Sequence, residues 1–117
     1  MNSRILPAIL LGFCSLLAIQ GCSSPTPKTD SEAIVRACEL YFKGIKENVD
    51  GNTTILEAVD FAQLAQELAT SGSDMEEYRK LQTEMRDTLT YADSGNPLLI
   101  GTMNRAEGKC NDYLESN

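Results

Sequence analysis

Apolar residues recur along the chain at intervals of three and four, and this spacing predicts four amphipathic helices. In the first, expected over about Ser31 to Asn48, the side chains of Ile34, Val35, Cys38, Tyr41, Phe42, Ile45 and Val49 fall on one side of a helical wheel. Glu32, Arg36, Glu39, Lys43 and Glu47 take the other side at ion-pair spacing. Thr29, with Glu32 three residues later, has the form of a capping box. Asp50-Gly51-Asn52 then reads as a turn.

A second helix is expected over about Ile55 to Thr70, with Thr54 and Glu57 as its capping box. Ile55, Ala58, Phe61, Ala62, Ala65, Leu68 and Ala69 make its apolar arc, and Asp60, Gln63, Glu67 and Thr70 its polar edge. Ser71-Gly72 should end it. Ser73 and Glu76 open a third helix with the stripe Met75, Tyr78, Leu81, Met85, Leu89 and Ala92. After the break at Asp93-Ser94-Gly95, Asn96 caps a fourth helix with Pro97 at its first position. The fourth stripe is Leu99, Met103, Ala106, Cys110, Tyr113 and Leu114.

Short links force sequential helices to run in opposite directions, so the pattern predicts an all-α fold, a small antiparallel four-helix bundle. Nothing in the chain alternates as a strand does. Gly44, Gly101 and Gly108 fall inside the helices and weaken them by up to about 1 kcal/mol each relative to alanine. Leu40 lies opposite Cys38, where it is expected to offer an exposed apolar contact.

Two cysteines test this arrangement. Cys38 and Cys110 sit mid-stripe in the first and last helices. Cys38 is ~9 Å from the start of the first helix and Cys110 ~7.5 Å from the end of the fourth, at 1.5 Å per residue, so in an antiparallel pair they stand at one level. They are expected to join. The closed loop would stabilise the fold by roughly 4 kcal/mol on a chain-entropy model.

The start of the chain has a different pattern. Met1 to Arg4 carries one positive charge, and Ile5 to Ile19 is almost wholly apolar but too short for the ~20 residues that cross a bilayer. A signal-peptide core has that length. The run closes on Ile19-Gln20-Gly21-Cys22, which resembles the lipobox of bacterial lipoproteins: a branched aliphatic residue, a tolerant position, a small residue and a cysteine. Gln20 departs from the small or hydroxylated residue commoner at its place. Cys14 does not fit the pattern, because Phe13 before it is too bulky.

That resemblance implies cleavage after Gly21 and covalent lipid on Cys22, the one non-protein group expected; no cofactor or metal is. It divides the chain into a removed signal peptide over 1–21, a lipidated tether over 22–29 and a helical domain over 30–117. Two or three acyl chains would anchor the protein stably, where one holds only marginally. Ser23 in place of aspartate after the cysteine resembles the outer-membrane sorting choice of lipoproteins in two-membrane bacteria. The implied location is the cell envelope, lipid-anchored and outside the cytoplasm.

Charge narrows the partners. The net charge is −7, and Arg4 is the only charged residue before Cys22, so the part beyond the signal is one unit more negative. This argues against nucleic acid and against docking on anionic headgroups. Between Lys46 and Arg79 there is no Lys or Arg, while Glu47, Asp50, Glu57, Asp60, Glu67, Asp74, Glu76 and Glu77 are acidic. Asp60, Gln63 and Glu67 are therefore the candidate partner face, set against the plain alternative of a solvated surface.

Catalytic patterns are missing. The chain has no histidine, which removes imidazole-activated nucleophiles, helical zinc motifs and the Glu-x-x-His units of di-iron bundles. No phosphate-cradling glycine pattern occurs. Asp50-Gly51-Asn52-Thr53-Thr54 starts like a calcium loop, but Ile55 and Phe61 stand where that loop needs glycine and glutamate. The expected function is a membrane-anchored, non-catalytic binding or accessory module of the bacterial envelope, held by its lipid and meeting an envelope protein. The alternative is a small inhibitor or immunity-type lipoprotein acting on an envelope channel, toxin or hydrolase. An enzyme is a distant third.

Overall fold

The computed structural model describes residues 26–47 and 51–116. The expected signal segment and Cys22, Val49 and Asp50 lie outside the described residues, as does the expected end of the first helix at Asn48. Within them, every regular element is a helix: α1 (Asp30–Lys46), α2 (Gly51–Leu68), α3 (Gly72–Ser94) and α4 (Leu99–Glu115). Each packs on its neighbours in sequence, and α1 also packs on α4, which closes the ring of an antiparallel four-helix bundle.

α1 starts where its cap places it. The Thr29 hydroxyl accepts from the Glu32 amide at 3.1 Å, while Glu32 Oε1 reaches back to the Lys28 amide at 2.9 Å, one residue beyond the usual capping-box partner. Asp30 and Glu32 occupy the first turn and Lys43 and Lys46 the last, complementing the helix dipole at both ends.

α2 begins four residues before the expected start. Gly51 and Asn52 belong to the helix rather than to a turn, and Thr54 lies within its first turn, donating to Glu47 Oε1 at 2.6 Å instead of capping. The cause is a tertiary contact. A Cβ on Gly51 would stand 2.5 Å from the Gly44 carbonyl oxygen, so two glycines let the end of α1 and the start of α2 meet backbone to backbone. At its other end α2 stops at Leu68. Ser71 serves the next helix, its hydroxyl accepting from the Asp74 amide at 3.0 Å. The expected Ser73 start is therefore two residues late.

α3 ends on Gly95, in the left-handed region at φ 68°, with its amide donating to the Tyr91 carbonyl. Asn96 does act as a local acceptor, taking the Leu98 amide at 2.8 Å, but it shapes the turn over Pro97 and Leu98, and α4 proper starts only at Leu99.

The core is narrower in side-chain size than the stripes imply. Ala33 and Ala37 of α1 and Ala58, Ala62 and Ala65 of α2 are fully buried, which draws these two helices together. Ile34, Tyr41, Leu81 and Met85 supply the bulk. Met75 and Ala92, expected in the third stripe, are exposed instead, Met75 by 46%. α3, with 23 residues, is the longest of the described helices, and Met75 and Ala92 fall in its first and last turns. Leu40 is partly buried against the core, not exposed as expected.

Cys38 and Cys110 are joined, with Cα atoms 5.3 Å apart, both without solvent exposure. This bond fixes α1 against α4 in the antiparallel sense that the matching depths require.

Candidate functional site

The outward side of α2 carries the acidic face. Asp60, Gln63 and Glu67 are all exposed, at positions one helical turn or two apart. Asp60 and Glu67 form no ion pair among the described residues. The ion pairs lie on α3 and α4 instead: Arg79 with Glu76, Lys80 with Glu77, and Glu84 with both Arg105 and Lys109.

Two features of the face are not visible in the order of residues. A cation does reach α2, because Arg36 of α1 places its guanidinium 5.5 Å from the centre of the Phe61 ring. The run without Lys or Arg is thus interrupted in space, though not along the chain. Gln63, moreover, is only half a surface residue in chemical terms. Its Nε2 donates to Glu67 Oε2 at 3.3 Å, and its Oε1 accepts from Gln82 Nε2 of α3 at 3.2 Å.

Gln82 is buried and fully satisfied. Its Nε2 also donates to the Val59 carbonyl at 3.1 Å, and its Oε1 accepts from Gln66 Nε2 at 2.8 Å. Both amide hydrogens and the carbonyl oxygen are used, which is what a polar group in a core requires. Gln63 therefore helps to hold α2 on α3, while Asp60 and Glu67 are exposed and enter no ion pair among the described residues.

The structure also assembles a tyrosine cluster where the helices α1 and α3 begin. Tyr78 donates to Asp30 Oδ2 at 2.9 Å, and its ring lies 5.6 Å from that of Tyr113. Burial, then the bond to Asp30, pushes the Tyr78 phenol well above its ordinary range. Tyr113 is raised by burial and by Glu77, Asp74 and Asp112. Phenols so shifted stay protonated and act as hydrogen-bond donors at neutral pH, not as bases.

At the opposite end an open cleft of about 270 Å³ is lined by Ile45, Ile55, Thr88, Leu99 and Met103, with Leu98 and Ile100 exposed beside it on the α3–α4 side. Among the described residues no group of three or more His, Cys, Asp or Glu side chains could hold a metal ion. No described helix is long and apolar enough to cross a membrane.

Comparison with protein-family models, with curated proteins and with solved structures finds no match to this chain. The residues missed by periodicity are Gln82, Thr88 and Thr102, which are buried, and the partly buried Glu84, polar groups that do not register in apolar stripes. A buried glutamine leaves no mark in a single sequence.

Proposed function

We propose that this protein is a bacterial envelope lipoprotein that works by binding, held at a membrane through acyl chains on Cys22. The observation that carries the proposal is Ile19-Gln20-Gly21-Cys22 closing the apolar run from Ile5. A disulfide between Cys38 and Cys110 supports it, since such bonds persist in oxidising, extracytoplasmic compartments.

The fold fits a tethered role. Residues 26–28 have no regular structure and lead directly into the capped start of α1. From Cys22 to Thr29 the chain can span at most about 25 Å, so the bundle would stay close to the surface. The end of the bundle nearest the tether carries Asp30, Glu32, Glu67 and Asp74, besides Glu76 and Glu77 paired with Arg79 and Lys80, and this balance, still negative, disfavours contact with anionic headgroups. Lipid, rather than basic residues, supplies the attachment. The partner is an envelope protein, met through Asp60 and Glu67 on α2.

The experiment is fatty-acid labelling in a bacterium that processes lipoproteins. Wild-type protein should take up label and the Cys22→Ala variant none. Equal labelling of the two would remove the anchor and, with it, the proposed location.

A further inference from the structure

We infer that α4 is a releasable helix: the Cys38–Cys110 bond clamps it to a three-helix unit that keeps its own fold when the bond is reduced. The grounds are an imbalance between what holds α1–α3 together and what holds α4.

Within α1–α3, register is set several times over without any atom of α4. Tyr41 meets Thr88 and Tyr78 meets Asp30, joining α1 to α3 at two levels. Gln82 bonds to α2 through Val59, Gln63 and Gln66. Gly44 and Gly51 seat α1 against α2. The large buried side chains Ile34, Tyr41, Leu81 and Met85 all belong to this unit.

α4 contributes only Thr102, Ala106 and Cys110 to the buried set. Its other ties include Glu84 with Arg105 and Lys109, the Tyr78–Tyr113 ring contact, and Tyr113 and Leu114 partly buried against the core. Arg105 is 62% exposed, so its pair with Glu84 is screened by water and adds little. The helix is also poorly made in itself. It has no side-chain cap at its start, no acid in its first turn, no base in its last turn, and Gly101 and Gly108 in its interior. Most of the stability of a helix in a protein comes from packing rather than from its own propensity, and α4 has two interior glycines against it. The covalent bond is what keeps α4 docked.

The chemistry is thiol–disulfide exchange with a dithiol. One thiolate of the dithiol attacks a cysteine sulfur and the Cys38–Cys110 bond breaks; the second thiolate then closes the reagent's own disulfide. Two electrons and two protons pass to the protein, leaving two thiols. Since both cysteines are fully buried, attack waits for a local opening of the α1–α4 contact that exposes the sulfurs, and α4 leaves only once the bond is gone. Reduction uncovers the α1–α3 seam around Cys38, Tyr78, Glu84 and Thr88.

Hydrogen exchange read by mass spectrometry on the full helical domain, oxidised and then reduced with dithiothreitol, tests this. Peptides covering α4 should lose protection by about a hundredfold, the factor expected for closing the short loop of roughly 16 residues from the end of α3 to Cys110 while α1–α3 stay folded. Peptides covering 33–41, 55–65 and 78–88 should stay protected. A Cys38→Ala, Cys110→Ala double variant should behave as the reduced protein does, and its helical circular dichroism should fall only by the share of α4. The inference is overturned if α4 keeps its protection without the bond, or if all four helices lose protection in one transition, including by failure of the double variant to fold.

Discussion

Tyr41 on α1 and Thr88 on α3 meet across the middle of the bundle, their hydroxyl oxygens 2.8 Å apart. The direction of that bond follows from the next one. Thr88 Oγ1 lies 2.9 Å from the Glu84 carbonyl, an acceptor only, so the single threonine hydrogen goes there and Tyr41 must be the donor. Tyr78 and Asp30 repeat the connection near the starts of the same two helices. The partners are 47 and 48 residues apart in the two cases, which sets α1 and α3 parallel and in a single register.

The two halves of the Tyr41–Thr88 bond should therefore differ in cost. Tyr41→Phe leaves Thr88 with its own donation intact and should lower stability by about 1 kcal/mol. Thr88→Val strands a buried phenol hydrogen and should cost about 1–3 kcal/mol. Combining the two should be less harmful than their sum. Urea denaturation of the three variants measures this, and equal losses for both single variants would contradict the assigned donor.

Alkaline pH should unfold the domain through its tyrosines. Burial raises Tyr41, Tyr78 and Tyr113 above the ordinary value of 10.0. Below pH 10 these groups are protonated in both folded and unfolded chains, and their contribution is fully present. Above it the unfolded chain loses protons that the folded one keeps, so stability falls by up to about 1.4 kcal/mol per pH unit for each group, until the folded values are passed. Tyrosinate absorbance and helical circular dichroism should then change together as pH rises beyond 10. Ionisation of all the tyrosines with the helices intact would count against their burial.

Glycine positions should respond to alanine with opposite signs. On helix propensity alone, alanine gains about 1 kcal/mol at every interior site. At Gly108 a Cβ meets nothing within 4 Å, and Gly108→Ala should realise that gain. At Gly44 it would stand 2.6 Å from Ile55 Cγ1 and 2.9 Å from the Gly51 carbonyl oxygen, and at Gly51 2.5 Å from the Gly44 carbonyl oxygen. Backbone cannot yield as a side chain can, so Gly51→Ala should lose about 1–3 kcal/mol and Gly44→Ala should also destabilise. Thermal melts of the three variants decide it.

That glycine contact also explains where the sequence was silent. Thr54 and Glu57 match a capping box, yet α2 starts at Gly51, because the approach of Gly51 to Gly44 is tertiary and leaves no local pattern. Cys38 and Cys110 were legible because two periodic stripes, an antiparallel order and equal depths converge on one pair. Thr29 was legible because a cap is a local motif. The Ala33, Ala37, Ala58, Ala62 and Ala65 seam was read only in part, since alanine on α1 ranks low beside Ile34 and Tyr41 in any apolar count. Of the candidate face, periodicity placed Asp60, Gln63 and Glu67 outside correctly. It could not reveal that Gln63 is bound inward to Gln82.

The division within that face yields the last prediction. If a basic envelope partner meets α2, Asp60 and Glu67 should carry the encounter, being exposed and without ion pairs among the described residues, whereas Gln63 serves the α2–α3 contact. An Asp60→Lys, Glu67→Lys variant should weaken capture and leave stability nearly unchanged, as surface substitutions usually do. A Gln63→Ala variant should do the reverse, lowering stability by about 1 kcal/mol through the lost bond to Gln82 with capture little altered. Raising salt should slow association of the wild type, since exposed charges are screened beyond a Debye length of about 8 Å at 0.15 M, and the double variant should show no such slowing. Equal capture by wild type and the charge-reversed variant at low and high salt would mean that this face only keeps the domain soluble, and the contact would then have to lie elsewhere, with the exposed Leu98 and Ile100 beside the cleft at the far end of the bundle as the next surface to alter.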